Sequence, residues 1–311
     1  MITHDIEIVK GKNKYLISDN PFTYNDLTVV SYDVQGADYK RTFQTLERVN
    51  GRFLSGVSED KKKVSLRLRY STDRPAFAAQ LKTRLQALLA GDFYIRELAT
   101  NDPTIEFEQI GTSKMQEFEL DYVDGNQLHV GLVSGVNFDT TQIAGEFTLD
   151  FETIDLPYFE SIGYSTDLAS SPNLNLWGAG QSIVMTETDW RRRYVFNNVR
   201  SDKVYYWGDV PLNQFNQNAI VEIVLGKDVS ADSKDGFTFY LEHSDIMKIK
   251  GLNLKAGDVI KFDGLHVYRN GLTIDEYNEF LEQPVLMPGE NIFNLNQNVQ
   301  KITFKHKMYF R

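Results

Sequence analysis

The sequence predicts a mainly β chain, a β-rich α+β fold with one packed helix, and three observations carry that reading. Aromatic residues make up 13% of the 311 positions, with 20 Phe and 16 Tyr against 8 Pro, and flat, stiff side chains suit a pleated, half-buried surface. Segments of strict period-two alternation recur through the first half. Short apolar runs punctuated by Gly and Asn-Gly fill the second half.

The clearest strand is "KKKVSLRLRYS", where Val64, Leu66, Leu68 and Tyr70 point one way and Lys63, Ser65, Arg67 and Arg69 the other. The same alternation predicts strands in "TIEFEQI" (Ile105, Phe107), "MQEFELDYV" (Phe118, Leu120, Tyr122) and "GEFTLDFETI" (Phe147, Leu149, Phe151). A helix is predicted after Asp73-Arg74-Pro75, because Phe77, Leu81, Leu85, Leu88 and Leu89 recur at helical spacing and Gly91 supplies a stop. Residues 35 to 63 break the pattern. That stretch is polar and glycine-bearing, yet it holds Tyr39, Phe43, Leu46, Phe53 and Leu54, for which a solvated loop has little use. It reads either as an arm reaching to a neighbouring subunit or as a self-packed surface loop.

The length suits two domains of roughly 150 residues each, and the turn-rich "ASSPNLNLWGAG" places a boundary between residues 154 and 178. Beyond it, runs such as "SIVM", "RRRYVFN", "NAIVEIVLG", "GFTFYLE" and "DVIKFDG", with hairpin signals at Asp263-Gly264 and Asn270-Gly271, predict a β-sandwich or barrel. "TIDEYNEFLEQ" predicts a short helix capped by Thr273. The chain closes on Pro288-Gly289 and a run holding Val299, Ile302, Phe304, Met308 and Phe310, which reads as a final strand.

Charge and motif content exclude several function classes. With 33 Lys plus Arg against 43 Asp plus Glu the formal charge is −10, so sustained attraction to nucleic acid or anionic lipid is not expected. No cysteine is present, which removes disulfides, thiolate chemistry and Cys-ligated zinc. "MITHDIEIVKGKNKY" shows no apolar leader core and no run reaches membrane-spanning length, so a soluble, cytoplasmically made protein without membrane anchor is expected. The five histidines have no two-ligand spacing, with His129 and His266 reading as structural, and no phosphate-binding glycine motif or nucleophile elbow occurs. Asp150 and Glu152 share a strand face and read as a solvated face, although a carboxylate pair for glycoside hydrolysis has no sequence spacing to reveal it. Arg191, Arg192 and Arg193 beside Trp190 and Tyr194 read as a surface or interface strand. No catalytic, metal or cofactor site is expected.

In order along the chain, the arm "VNGR" (Val49 to Arg52), the strand "VSLRLRY", the amphipathic helix, "DFYIREL", "FTLDFETIDLPYFESI", "NLWGAG" and "PVLMPGENIFNL" with a final basic-aromatic strand resemble the distal tail protein (Dit) family of siphophages infecting Gram-positive bacteria. The resemblance implies an N-terminal domain over residues 1–160, with 299–311 a candidate for completing it, that assembles as a ring, typically a homo-hexamer. It implies a C-terminal galectin-like β-sandwich over 161–298. It also implies a structural protein of the virion tail tip, made in the bacterial host cytoplasm and without enzymatic activity. Such a ring joins the tail tube protein to a tail-associated lysin and receptor-binding baseplate proteins, with DNA only in transit. Tyr39, Arg41, Phe43, Arg48 and Arg52 are the candidate interface residues, because aromatic and Arg side chains are enriched at interfaces. An alternative is a carbohydrate-binding module for the host cell wall, with Trp177, Trp190 or Trp207 as stacking platform.

Overall fold

The computed structural model describes residues 2–101, 118–178 and 182–311. The strand predicted at Ile105 and Phe107, and part of that predicted over 115–123, lie outside the described residues. The chain divides into two compact units, Met1–Phe159 together with Arg311, and Glu160–Phe310. Both are mainly β.

In the first unit the strands are β1 (His4–Lys10), β2 (Asn13–Leu16), β3 (Leu27–Val34), β4 (Tyr39–Gln44), β5 (Phe53–Glu59) and β6 (Lys63–Ser71). After helix α1 (Pro75–Leu88) come β7 (Asp92–Ala99), β8 (Asp121–Tyr122), β9 (Asn126–Leu132) and β10 (Ala144–Thr153). The main sheet runs β2-β1-β7-β9-β10-β6-β3, with every described register antiparallel. Alternation on β6 is as read: Val64, Leu66, Leu68 and Tyr70 are buried, and Phe147, Leu149 and Phe151 of β10 stand opposite them. Helix α1 covers this face with Ala78, Leu81, Leu85 and Leu88. Phe77, expected in the stripe, is exposed, because the buried face starts one position later at Ala78. Arg74 is the N-cap, with no side-chain cap, so Pro75 at the first helical position carries the start signal. Gly91, at φ +78°, lets the chain turn into β7.

The second unit opens at Glu160, inside β11 (Phe159–Ser161), and continues with a one-turn helix α2 (Ser165–Leu168), then β12 (Val195–Tyr206), β13 (Ala219–Leu225), β14 (Phe237–Leu241) and β15 (Met247–Ile249). It ends with β16 (Val259–Phe262), β17 (Val267–Arg269), β18 (Leu272–Thr273), β19 (Gly289–His306) and β20 (Tyr309–Phe310). The 18-residue β19 organises it. One edge pairs along its length with β12; the other pairs first with β14 and then with β13. The sheet therefore forks, and Phe239 of β14 meets Phe262 of β16 at 6.0 Å between ring centroids, so the two branches face each other as sandwich layers. Phe196, Phe293 and Phe304 pack together where they part.

Of the residues that close the chain, Val299 to His306 pair with β12 and β13, β20 pairs with β11, and Arg311 groups with the first unit, where it meets Glu59 at 3.2 Å. Pro288-Gly289, with Gly289 at φ +97°, is thus the entry into the sandwich's central strand. The helix predicted from Thr273 is only a 3-10 turn, Asp275–Tyr277. There the backbone bonds outward to β15, with Lys250 N donating to Tyr277 O and Glu279 N to Lys248 O, while Asp275 holds Val267 N and His266 Nδ1. Tertiary partners replace the helical ones, and Phe280 and Leu281 stay exposed. "SIVM" forms no strand among its described residues, and the Arg191–Arg193 run is no surface strand: Trp190–Arg192 form a 3-10 turn that buries Arg192.

His306 lies in this core between Tyr194 and Tyr206, each edge-to-face at 5.3 Å. Burial disfavours the imidazolium and pushes its pKa down to about 4, while Nδ1 pairs with Lys307 O at 3.1 Å. Because the native pKa lies below the unfolded one, stability is full above about pH 6.5 and is lost as pH falls toward 4, by roughly 3 kcal/mol. Urea unfolding of this unit at pH 7, 5.5 and 4.5 checks this, and His306→Gln should flatten that part of the profile.

Candidate functional site

Residues 35–63 build a projecting ribbon. β4 and β5 form a two-stranded sheet of their own, with Tyr39 opposite Glu59, Arg41 opposite Val57 and, past a bulge at Thr42/Phe43, Phe43 opposite Leu54. Opposed residues share a face, so Tyr39, Arg41, Phe43, Leu54 and Val57 lie together. The base is fixed, with Asp38 N donating to Lys61 O and Asp60 N to Asp38 O. At the tip Arg48, at φ +64°, and Gly51, at φ +100°, take the left-handed conformation that turns the chain.

This ribbon is wet on both faces. Tyr39, Phe43, Leu46, Val49, Phe53, Leu54 and Val57 are each between 38% and 58% exposed. An isolated two-stranded hairpin is marginal in water, and its unpaired edges are templates for association. Arg52 lies 3.8 Å above the Phe43 ring and Arg41 5.8 Å from that of Tyr39, so each guanidinium screens an aromatic face while keeping its charge available. Four of the five predicted interface residues are thereby gathered into two pairs. Arg48 stands apart at the tip. Leu54 and Val57 complete the face; Leu54 was visible as an aliphatic in a polar stretch, whereas Val57 lacked any pattern because the bulge shifts the register.

The three tryptophans are scattered by contrast. Trp177 is only 1% exposed, with Nε1 donating to Tyr164 O at 2.9 Å, and a Cβ on Gly163 would come within 2.3 Å of its ring. It is a core side chain and offers no sugar platform. Trp190 is half-buried, edge-to-face with Tyr205 and covered by Lys203 Nζ at 4.0 Å. Trp207 packs on Tyr205 at 4.4 Å and carries Arg191 at 5.5 Å. Both indoles already have partners on their faces.

The remaining candidates are tied to neighbours. Asp150 accepts from Ser65 Oγ at 3.0 Å, and Glu152 pairs with Lys61, each across the solvated face of the sheet. His129 stacks on Tyr94 between Asp92 at 2.9 Å and Asp155 at 3.4 Å, which holds the Asp92 carboxyl below its ordinary pKa. Of the three arginines, Arg191 grips Asp189, whose pKa falls to about 2, and Arg193 pairs with Asp202 at 2.6 Å. Arg192 points inward.

With this geometry in place the chain can be compared with known proteins. The crystal structure of the SPP1 Dit protein, described as a paradigm of the hub adsorption apparatus in Gram-positive infecting phages, aligns over 98% of this chain and 99% of its own, at 12% identity and a TM-score of 0.57. The fold is Dit-like. Chains of the phage P2 baseplate in its activated conformation align over 99% of this chain with Ca and 98% with Sr, at 9% and 10% identity, but a TM-score of 0.37 is too loose to bear on the fold. No family model matches the sequence, and no curated protein does. The alignment with the SPP1 protein spans nearly all of both units.

Proposed function

We propose that the protein is a ring-forming distal tail hub, a structural adaptor that joins a phage tail tube to tail-tip or baseplate components. The observation that carries this reading is the exposed aromatic and arginine ribbon β4–β5 on a chain with a Dit-like fold. Fully burying one Phe or Leu side chain is worth roughly 1.5–3 kcal/mol. Seven half-exposed ones therefore offer on the order of 5–10 kcal/mol per contact, comparable with the cost of association. Closed cyclic symmetry would seat the ribbon of one subunit on a different surface of the next, so the contact is heterologous and closes a ring, with six subunits as the proposed number. A charge of −10 on each chain would make the ring repel phosphate, which suits a channel through which DNA passes without sticking. The tube protein above, and the lysin and receptor-binding proteins below, are the proposed partners.

Light scattering of the purified chain, alone and with the tube protein, tests the proposal. A single species near six times the chain mass is expected, and a monomer under both conditions at high concentration would rule the ring out.

A further inference from the structure

The centre of β19 carries a second surface. Val199 pairs with Val299 but Ser201 with Asn294, so Arg200 alone stands opposite the four residues 295–298. The register with β13 slips just beyond it, at Gln300, between Val224 and Leu225. Bulges re-aim side chains and recur beside binding sites. Here the bulge opens a cleft of ≈ 550 Å³ whose wall includes Arg200, Lys227, Ser230, Ser233, Gln297 and Asn298.

The wall is rich in unspent donors. Arg200 is anchored by Nε to Leu295 O at 3.2 Å, which fixes the guanidinium and leaves its terminal nitrogens without partners among the described residues. Lys227 has no hydrogen bond or ion pair among the described residues. The Gln297 amide nitrogen is buried and unpartnered. The one carboxylate in the wall, Asp228, is already occupied by Lys255 Nζ at 2.9 Å and Ala256 N at 2.8 Å. Asn296 clamps the wall, donating to Gly236 O at 2.8 Å and accepting from Thr238 N at 3.2 Å. The result is a cationic, amide-lined cleft on a chain that is acidic overall.

We propose that this cleft binds a hydroxylated phosphodiester chain of polyol-phosphate or sugar-phosphate type. Arg200 and Lys227 meet the phosphate, while Asn298, Gln297 and the two serines meet the hydroxyls. A neutral glycan would leave both cations unpaired, and a nucleic acid would find no aromatic wall on which to stack its bases. Nothing in this assignment depends on the hub reading.

The test is calorimetric titration of the full chain with poly(glycerol phosphate), against dextran, inorganic phosphate and oligothymidine. Saturable binding of poly(glycerol phosphate) alone is expected. Arg200→Ala and Lys227→Ala should each weaken it by about tenfold and Asn298→Ala by less, with unchanged melting temperatures. Absence of saturable binding would overturn the proposal, as would an unaffected Arg200→Ala/Lys227→Ala variant. Equally tight binding of inorganic phosphate or oligothymidine would reduce the cleft to an unselective anion site and overturn it too.

Discussion

Replacing Phe43, Phe53 and Leu54 together by serine should convert the assembled protein to monomers while leaving each subunit folded. These side chains contribute almost nothing to the core of the chain that carries them, since all three are more than a third exposed on a ribbon paired only within itself. Their removal therefore costs the isolated subunit little, within about 0.5 kcal/mol at each surface site. In the proposed ring the same three would be desolvated, and each lost anchor would weaken the contact by roughly 1–2 kcal/mol. Every subunit of such a ring would donate one ribbon and receive another, so one lesion would break every interface at once. Sedimentation velocity reads the mass, and circular dichroism with thermal melting reads the fold. Arg52→Ala should give a weaker form of the result, through loss of the guanidinium over Phe43. Retention of the full assembly by the triple variant would show that the ribbon is not the contact.

The second large effect is on stability. Arg192, 1% exposed, donates Nε and Nη2 to Leu168 O, Nη2 also to Ser171 O at 2.6 Å, and Nη1 to Met185 O at 2.7 Å. One guanidinium thus ties the end of α2 and the turn after it, through Leu168 O and Ser171 O, to the loop at Met185. Arg192→Met keeps the apolar stem but removes the donors to Ser171 O and Met185 O and leaves Leu168 O only the Ser171 N–H at 3.3 Å, at about 1–3 kcal/mol for each carbonyl not reached by water. The expected loss is roughly 3–5 kcal/mol, about 10 °C in the melting temperature of a unit this size. Arg192→Lys should recover only part of it, because an ammonium cannot span the same fork. A change below about 1 kcal/mol for Arg192→Met would show that water replaces the guanidinium and that the loops hold themselves.

How legible each feature was depends on where its partners come from. The alternation of Val64, Leu66, Leu68 and Tyr70 specifies one buried sheet face by itself, and that face is where it was expected. The ribbon was legible as aromatics stranded in a polar stretch, but not as two strands, because both of its faces are wet and neither imposes a period. The helix expected at Thr273 failed because the outward hydrogen bonds of Tyr277 O and Glu279 N come from β15, a strand some thirty residues earlier in the chain. Arg192 could not be told from Arg191 and Arg193, since its carbonyl partners are assembled only by folding. The bulge in β19 did leave a trace. Its buried apolar residues run Phe293, Leu295, Val299, Ile302, Phe304; the skip from 295 to 299 drops one beat of period two, and the phase itself changes from 299 to 302. The amide run Asn296-Gln297-Asn298 fills that skip.

Negative-stain electron microscopy of the purified chain, with and without the tube protein, tests the hub reading most directly. Closed, centrally holed rings of six subunits, each with an outward lobe, are the predicted class averages. Compact single particles in both preparations would contradict it.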